Sequence, residues 1–155
     1  MHPQLHPLFI DYCAYFVVGD YFECHEVAEE YWKALHGHKK HPLVAYIQIA
    51  AGHYHARRGN DVGAKRLLQN AQTIITASPS AFYDYIPQHT LINLAKCEQF
   101  SLSLLPPLAA RVAARVEELP RLDDDYLLHK HTLRDRSDVI AERLRAKQAK
   151  QNNRQ

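Results

Sequence analysis

The sequence predicts one compact all-α domain of about six to seven helices, with a helical hairpin at its centre. Three observations carry that prediction. Apolar residues recur at helical spacing along nearly the whole chain. Only 5 of the 155 residues are glycine, and no Asn-Gly or Asp-Gly hairpin signal is present. Gly19, Gly37 and Gly59, together with Pro7, Pro42 and Pro106-Pro107, stand where helices would begin and end.

The elements follow in order. A first helix is expected from about Pro7 to Val18, stopping at Gly19. Asp20 then caps a second, with Glu23 completing a capping-box-like pattern; it runs to about Leu35 and Gly37 ends it. After the loop His36-Gly37-His38-Lys39-Lys40-His41, Pro42 fits the first turn of a third helix, from about Pro42 to Arg58. Gly59 closes this helix, with Arg57 and Arg58 at the negative end of its dipole. Asn60 or Asp61 caps a fourth helix carrying Ala64, Leu67, Leu68, Ala71 and Ile75. The two- or three-residue connection makes the third and fourth helices an antiparallel hairpin. Ser78-Pro79-Ser80 breaks the pattern. A fifth helix is expected from about Thr90 to Leu104, and Pro106-Pro107 starts a sixth that runs to about Leu119. Pro120 through Asp125 reads as a loop and roughly 133–147 as a last amphipathic helix. The domain therefore covers 1–147, with a polar tail over 148–155.

Composition narrows the function classes. A hydrophobic fraction of 46% and a charged fraction of 23% are those of a globular chain. No apolar stretch approaches the roughly 18 residues that span a bilayer, so no membrane partner is expected. The start of the chain lacks a secretory pattern, which makes cytoplasmic the expected location. A formal charge of +2 is too small to imply a nucleic-acid partner. Cys13, Cys24 and Cys97 form no paired short spacing, so neither a disulfide framework nor a zinc knuckle is indicated. Several of the eleven histidines flank prolines or cluster in the loop before Pro42, and most are read as solvated.

The chemistry concentrates in Tyr21-Phe22-Glu23-Cys24-His25-Glu26-Val27-Ala28-Glu29-Glu30-Tyr31-Trp32. On a helix His25 and Glu29 share a face, with Phe22 and Trp32 above and below them. On the third helix Gln48 and His55 are seven apart and lie on one side, with Ala51 and Gly52 between them. A glycine inside a helix costs about 1 kcal/mol relative to alanine, which calls for a packing or functional reason. Should the second and third helices face each other, His25, Glu29, Gln48 and His55 converge.

These segments, together with Ile-Gln-Ile-Ala-Ala-Gly-His-Tyr-His-Ala-Arg-Arg-Gly-Asn over 47–60 and Gly-Ala-Lys-Arg-Leu-Leu over 63–68, resemble the core motifs of a bacterial family, domain of unknown function family 309. The run Leu133-Arg134-Asp135-Arg136-Ser137-Asp138-Val139-Ile140 is similar to that of its Firmicute members. The resemblance implies a compact multihelical fold and carries no established activity or ligand. It places the family's polar motif positions on His25, Glu26, Glu29, Trp32, Gln48, His55, Gly59 and Asn60. His53 falls where an apolar residue is common and is not recruited first.

Three readings follow. The first is a buried hydrogen-bond network that fixes helix register, with Trp32 as core. The second is a site for a divalent metal or a small molecule, with His25 and Glu29 joined by Glu26 or His55 as three metal ligands and the set His25, Glu29 and His55 taken first; its cofactor and any hydrolytic reaction stay unassigned. His-Glu-Val-Ala-Glu resembles the zinc-protease pattern His-Glu-x-x-His, but Glu29 stands in place of the second histidine, so no peptidase is assigned. The third is a helical interaction module or homo-oligomer. The hairpin over 46–71 looks like a tetratricopeptide unit, yet no second copy follows at a period near 34. The basic run Glu142-Arg143-Leu144-Arg145-Ala146-Lys147 reads as a solvated face.

Overall fold

Side-chain caps mark the starts of the first four α-helices. In a computed structural model, which describes residues 1–120, a 3₁₀ turn at Pro3–Leu5 precedes α1 (Pro7–Val17). Then come α2 (Tyr21–Ala34), α3 (Pro42–Arg57), α4 (Asp61–Ala77), a second 3₁₀ turn at Ala81–Tyr83, α5 (Gln88–Ala95) and α6 (Leu108–Glu118). Among the described residues no strand occurs. The Asp20 carboxylate accepts from Glu23 N at 3.3 Å, and Asn60 Oδ1 accepts from Gly63 N at 3.1 Å, as the sequence predicts for α2 and α4. The expected helix over 133–147, the basic run within it, and the 148–155 tail lie outside the described residues.

Two helix ends depart from expectation. α2 is closed by His36, whose φ is 51°, and not by Gly37. Gly37 is required for a different reason: a Cβ there would fall on the Trp32 indole. The fifth helix stops at Ala95 rather than near Leu104. Cys97 takes φ 55°, and the Asn93 carbonyl gathers the amides of Lys96, Glu98 and Gln99. Beyond it, Leu105 N donates to Tyr85 O at 2.9 Å. Residue 97 is a cysteine, so the sequence carries none of the glycine punctuation that marks such an end.

Packing centres on α3, which lies against α4 most extensively and then against α2, so the predicted hairpin stands at the centre of the fold. α2 also packs on α1, and α6 covers α1. The core is aromatic: Phe9, Tyr12 and Phe16 of α1 meet Tyr31, Tyr46 and Phe82, with Ile49, Ile75, Leu94 and Leu108 beneath. Buried tyrosines need partners for their hydroxyls. Tyr12 donates to Tyr46 O at 2.8 Å and Tyr46 donates to Phe82 O at 2.6 Å, tying α1 to α3 and α3 to the second 3₁₀ turn. At Gly52 an added Cβ would lie 2.6 Å from Leu68 Cγ, so the missing side chain is what lets α4 approach α3.

Candidate functional site

The α2 cluster forms as helical spacing dictates. His25 Nδ1 lies 3.3 Å from Glu26 Oε1, and His25 Nε2 lies 3.5 Å from Glu29 Oε2. Glu29 uses its other oxygen to bind Lys33 Nζ at 2.9 Å, which raises the lysine's pKa. Among the described residues, these three offer ligand atoms that all lie within 4.8 Å of one another. The group is not buried as the network reading expects: the His25, Glu26 and Glu29 side chains are 31%, 50% and 34% exposed.

His55 belongs to a second group. Asn60 Nδ2 donates to His55 Nδ1 at 3.4 Å, and Asn60 N donates to the His55 carbonyl at 2.9 Å. The ring is thus oriented by the α3–α4 turn, and its Nδ1 lone pair is engaged. Burial, then the charges of Arg58 and His25, lower its pKa, so it is held neutral. The tentative ligand trio of His25, Glu29 and His55 is therefore not the one that gathers; Glu26 stands in for His55. Gln48 Oε1 is sealed from solvent and accepts no hydrogen bond among the described residues.

Phe22 and Trp32 were expected above and below the His25–Glu29 pair, with Trp32 as core. Trp32 Nε1 donates instead to His38 O at 3.1 Å, pinning the loop between α2 and α3. Phe22 packs toward Tyr54, with ring centroids 6.1 Å apart. α2 and α3 do meet, but through rings: besides this pair, Arg57 lies 4.2 Å over the Tyr21 ring and donates to Gly19 O at 2.6 Å.

His53, set aside on sequence, is 3% exposed and sits among Phe16, Tyr21 and Phe100, with centroids at 5.5, 5.5 and 5.8 Å. A carbonyl only accepts, so the 2.8 Å contact with Leu94 O places the proton on His53 Nε2. Burial lowers its pKa. Residue type carried no signal for it, because the packing partners of α3 decide which of its faces is buried.

Four of the histidines read as solvated have backbone partners. His2 Nδ1 accepts from Gln4 N at 3.1 Å, His6 Nδ1 from Leu8 N at 3.1 Å, His38 Nδ1 from Lys40 N at 3.1 Å and His41 Nδ1 from Leu43 N at 3.0 Å. Three of the four precede a proline, and this repeated His-Pro pattern was the legible signal.

The three cysteines are free thiols. Cys13 and Cys24 are fully buried, and burial pushes both thiols up, which leaves them inert at neutral pH. No helix among the described residues is long and apolar enough to cross a membrane.

The family described as domain of unknown function (DUF309) matches residues 9–67, the stretch from α1 through the first half of α4. The chain is 38% identical to the uncharacterized protein YpuF of Bacillus subtilis (strain 168), over 92% of this chain and 93% of that one. No solved structure gives a significant match. With its paired motifs on α2 and the α3–α4 hairpin, and with a relative matched over nearly its whole length, the chain belongs to the DUF309 family.

Proposed function

We propose that this helical protein binds a divalent cation at His25, Glu26 and Glu29 on α2. The observation that supports the reading is the gathering of one imidazole and two carboxylates within 4.8 Å at a solvent-reachable place. A stability role explains the group poorly, because half-exposed ion pairs contribute only about 0–1 kcal/mol. Mixed nitrogen and oxygen donors suit zinc, manganese, iron or nickel better than calcium. The cation would have Glu29 share its carboxylate with Lys33 and would leave open positions for water or a small ligand. The three free thiols favour a reducing compartment, in keeping with a cytoplasmic location.

Titration of untagged, chelator-free protein with Zn²⁺ and Mn²⁺ by calorimetry, beside a His25→Ala/Glu29→Gln variant, tests this. The expected result is one ion per chain for the wild type, an affinity at least about tenfold weaker in the variant, as metal-ligand loss implies, and melting temperatures of the metal-free proteins within a few degrees. Equal affinity in the two proteins overturns the reading. So does no binding by either, and a variant melting far below the wild type then restores the structural network.

A further inference from the structure

α5 and α6 start without a side-chain cap, and the six side-chain-capped helix starts among the described residues divide into two chemical kinds. Oxygen acceptors cap α2 through Asp20, α4 through Asn60 and the second 3₁₀ turn through Ser80, whereas imidazoles cap the first 3₁₀ turn through His2, α1 through His6 and α3 through His41. Each capping histidine precedes a proline at the first helical position, which sets φ and needs no partner for its missing N–H. A backbone N–H can only donate, so in all three caps Nδ1 must carry a lone pair and the proton of the neutral ring sits on Nε2. At His2 that proton reaches Asp84 Oδ2 at 2.8 Å, which fixes the same tautomer from the other side.

The caps of α1 and α3 gather at one corner. His6 stacks on Tyr31 at 4.2 Å, Tyr31 faces Phe82 at 5.9 Å, and His41 meets Phe82 at 5.2 Å. The Tyr31 hydroxyl donates to Pro3 O at 2.9 Å, so the C-terminal part of α2 and the first 3₁₀ turn join the same corner. From these contacts we infer that His6 and His41 form an acid-sensitive latch that releases the N-terminal ends of α1 and α3 when the rings take up a proton.

Protonation acts twice in the same direction. An imidazolium has no Nδ1 lone pair, so the Leu8 and Leu43 amides lose their acceptor. The new positive charge also sits at the positive end of a helix dipole. The groups that face the rings set how each responds. Tyr31, a neutral phenol, covers His6. His41 has His38 at 5.8 Å and Phe82 on its other side, and burial followed by the His38 charge lowers its pKa. Its cap is therefore intact above about pH 6.5, the free-imidazole value, and is lost as pH falls through the lower folded value. His2 is opposed, because Asp84 gains an ion pair when that ring is charged; His6 and His41 open the corner.

The test is amide hydrogen exchange at Leu8 and Leu43, with imidazole ¹⁵N shifts, from pH 7.5 to 5, in the wild type and in a His6→Asn/His41→Asn variant. Asparagine caps a helix without titrating near neutrality. The wild type should show Nε2-protonated rings at pH 7.5 and lose about fivefold in protection at both amides on acidification, the worth of one cap each. The variant should hold its protection, while the amide of Glu23, capped by Asp20, changes little in either protein. Nδ1-protonated rings at pH 7.5, unchanged wild-type protection, or an equal loss in the variant would each overturn the latch. If the double variant does not fold at pH 7.5, the wild type decides alone: loss of protection must track the His6 and His41 titrations, and loss at a different pH overturns the proposal.

Discussion

His53 shows how one residue can carry stability that its chemistry disguises. The ring is enclosed by three aromatics, and one N–H is satisfied by Leu94 O. His53→Ala should therefore lower stability by about 2–3 kcal/mol in urea unfolding, chiefly through the cavity it leaves. The pH dependence follows from burial. The folded pKa is lowered below the free value of about 6.5, so the unfolded chain binds the proton first. Stability is then full above that value and falls as pH drops through the folded pKa. His53→Leu should flatten the decline between pH 7 and 5, and parallel curves would show that another group titrates. Nothing in residue type separates His53 from His55 two positions on. Only the helix face does, and that face is fixed by its partners.

Among the elements, the α3–α4 hairpin was legible because its signals are local: Gly59 at φ 83°, the Asn60 cap and a two-sided apolar pattern. The closeness of the pair depends on Gly52. Alanine there gains about 1 kcal/mol of helix propensity. It must also displace Leu68, whose Cγ lies 2.6 Å from the new methyl, a strain of about 1–3 kcal/mol. Gly52→Ala should thus destabilise by about 1 kcal/mol, whereas in a Leu68→Ala background the same change should stabilise by a similar amount. A thermal double-mutant cycle with no coupling would remove the close-packing account. The end of α5 is not legible in the sequence for the converse reason. Its apolar spacing continues to Leu104, but the chain leaves the helix at Cys97 to reach Tyr85 O, a partner far away in sequence.

For the whole molecule, the thiols report whether the core opens as a unit. Cys13 lies on α1 and Cys24 on α2, both without exposed surface, and Cys24 Sγ donates to Tyr12 O at 3.2 Å. Cys97 is half-buried. Alkylation of native protein near pH 8 should modify Cys97 alone at an appreciable rate, with Cys13 and Cys24 reacting together only at the rate set by unfolding. Separate rates for Cys13 and Cys24, read by peptide mass mapping, would show that α1 and α2 part before the fold does.

The sequence by itself determined the helical class, the starts of α2, α3 and α4, the central hairpin and the His25–Glu26–Glu29 group. Each rests on residues within about one helical turn of one another, where backbone geometry leaves little freedom. Tertiary structure alone decided the rest. It turned His55 to Asn60, sealed Gln48, set Trp32 on Gly37, buried His53 and brought the caps of α1 and α3 to a shared Tyr31–Phe82 corner. Periodicity says which side of a helix a residue occupies, but which neighbour packs on that side depends on how several helices share one aromatic core, and no local spacing encodes that.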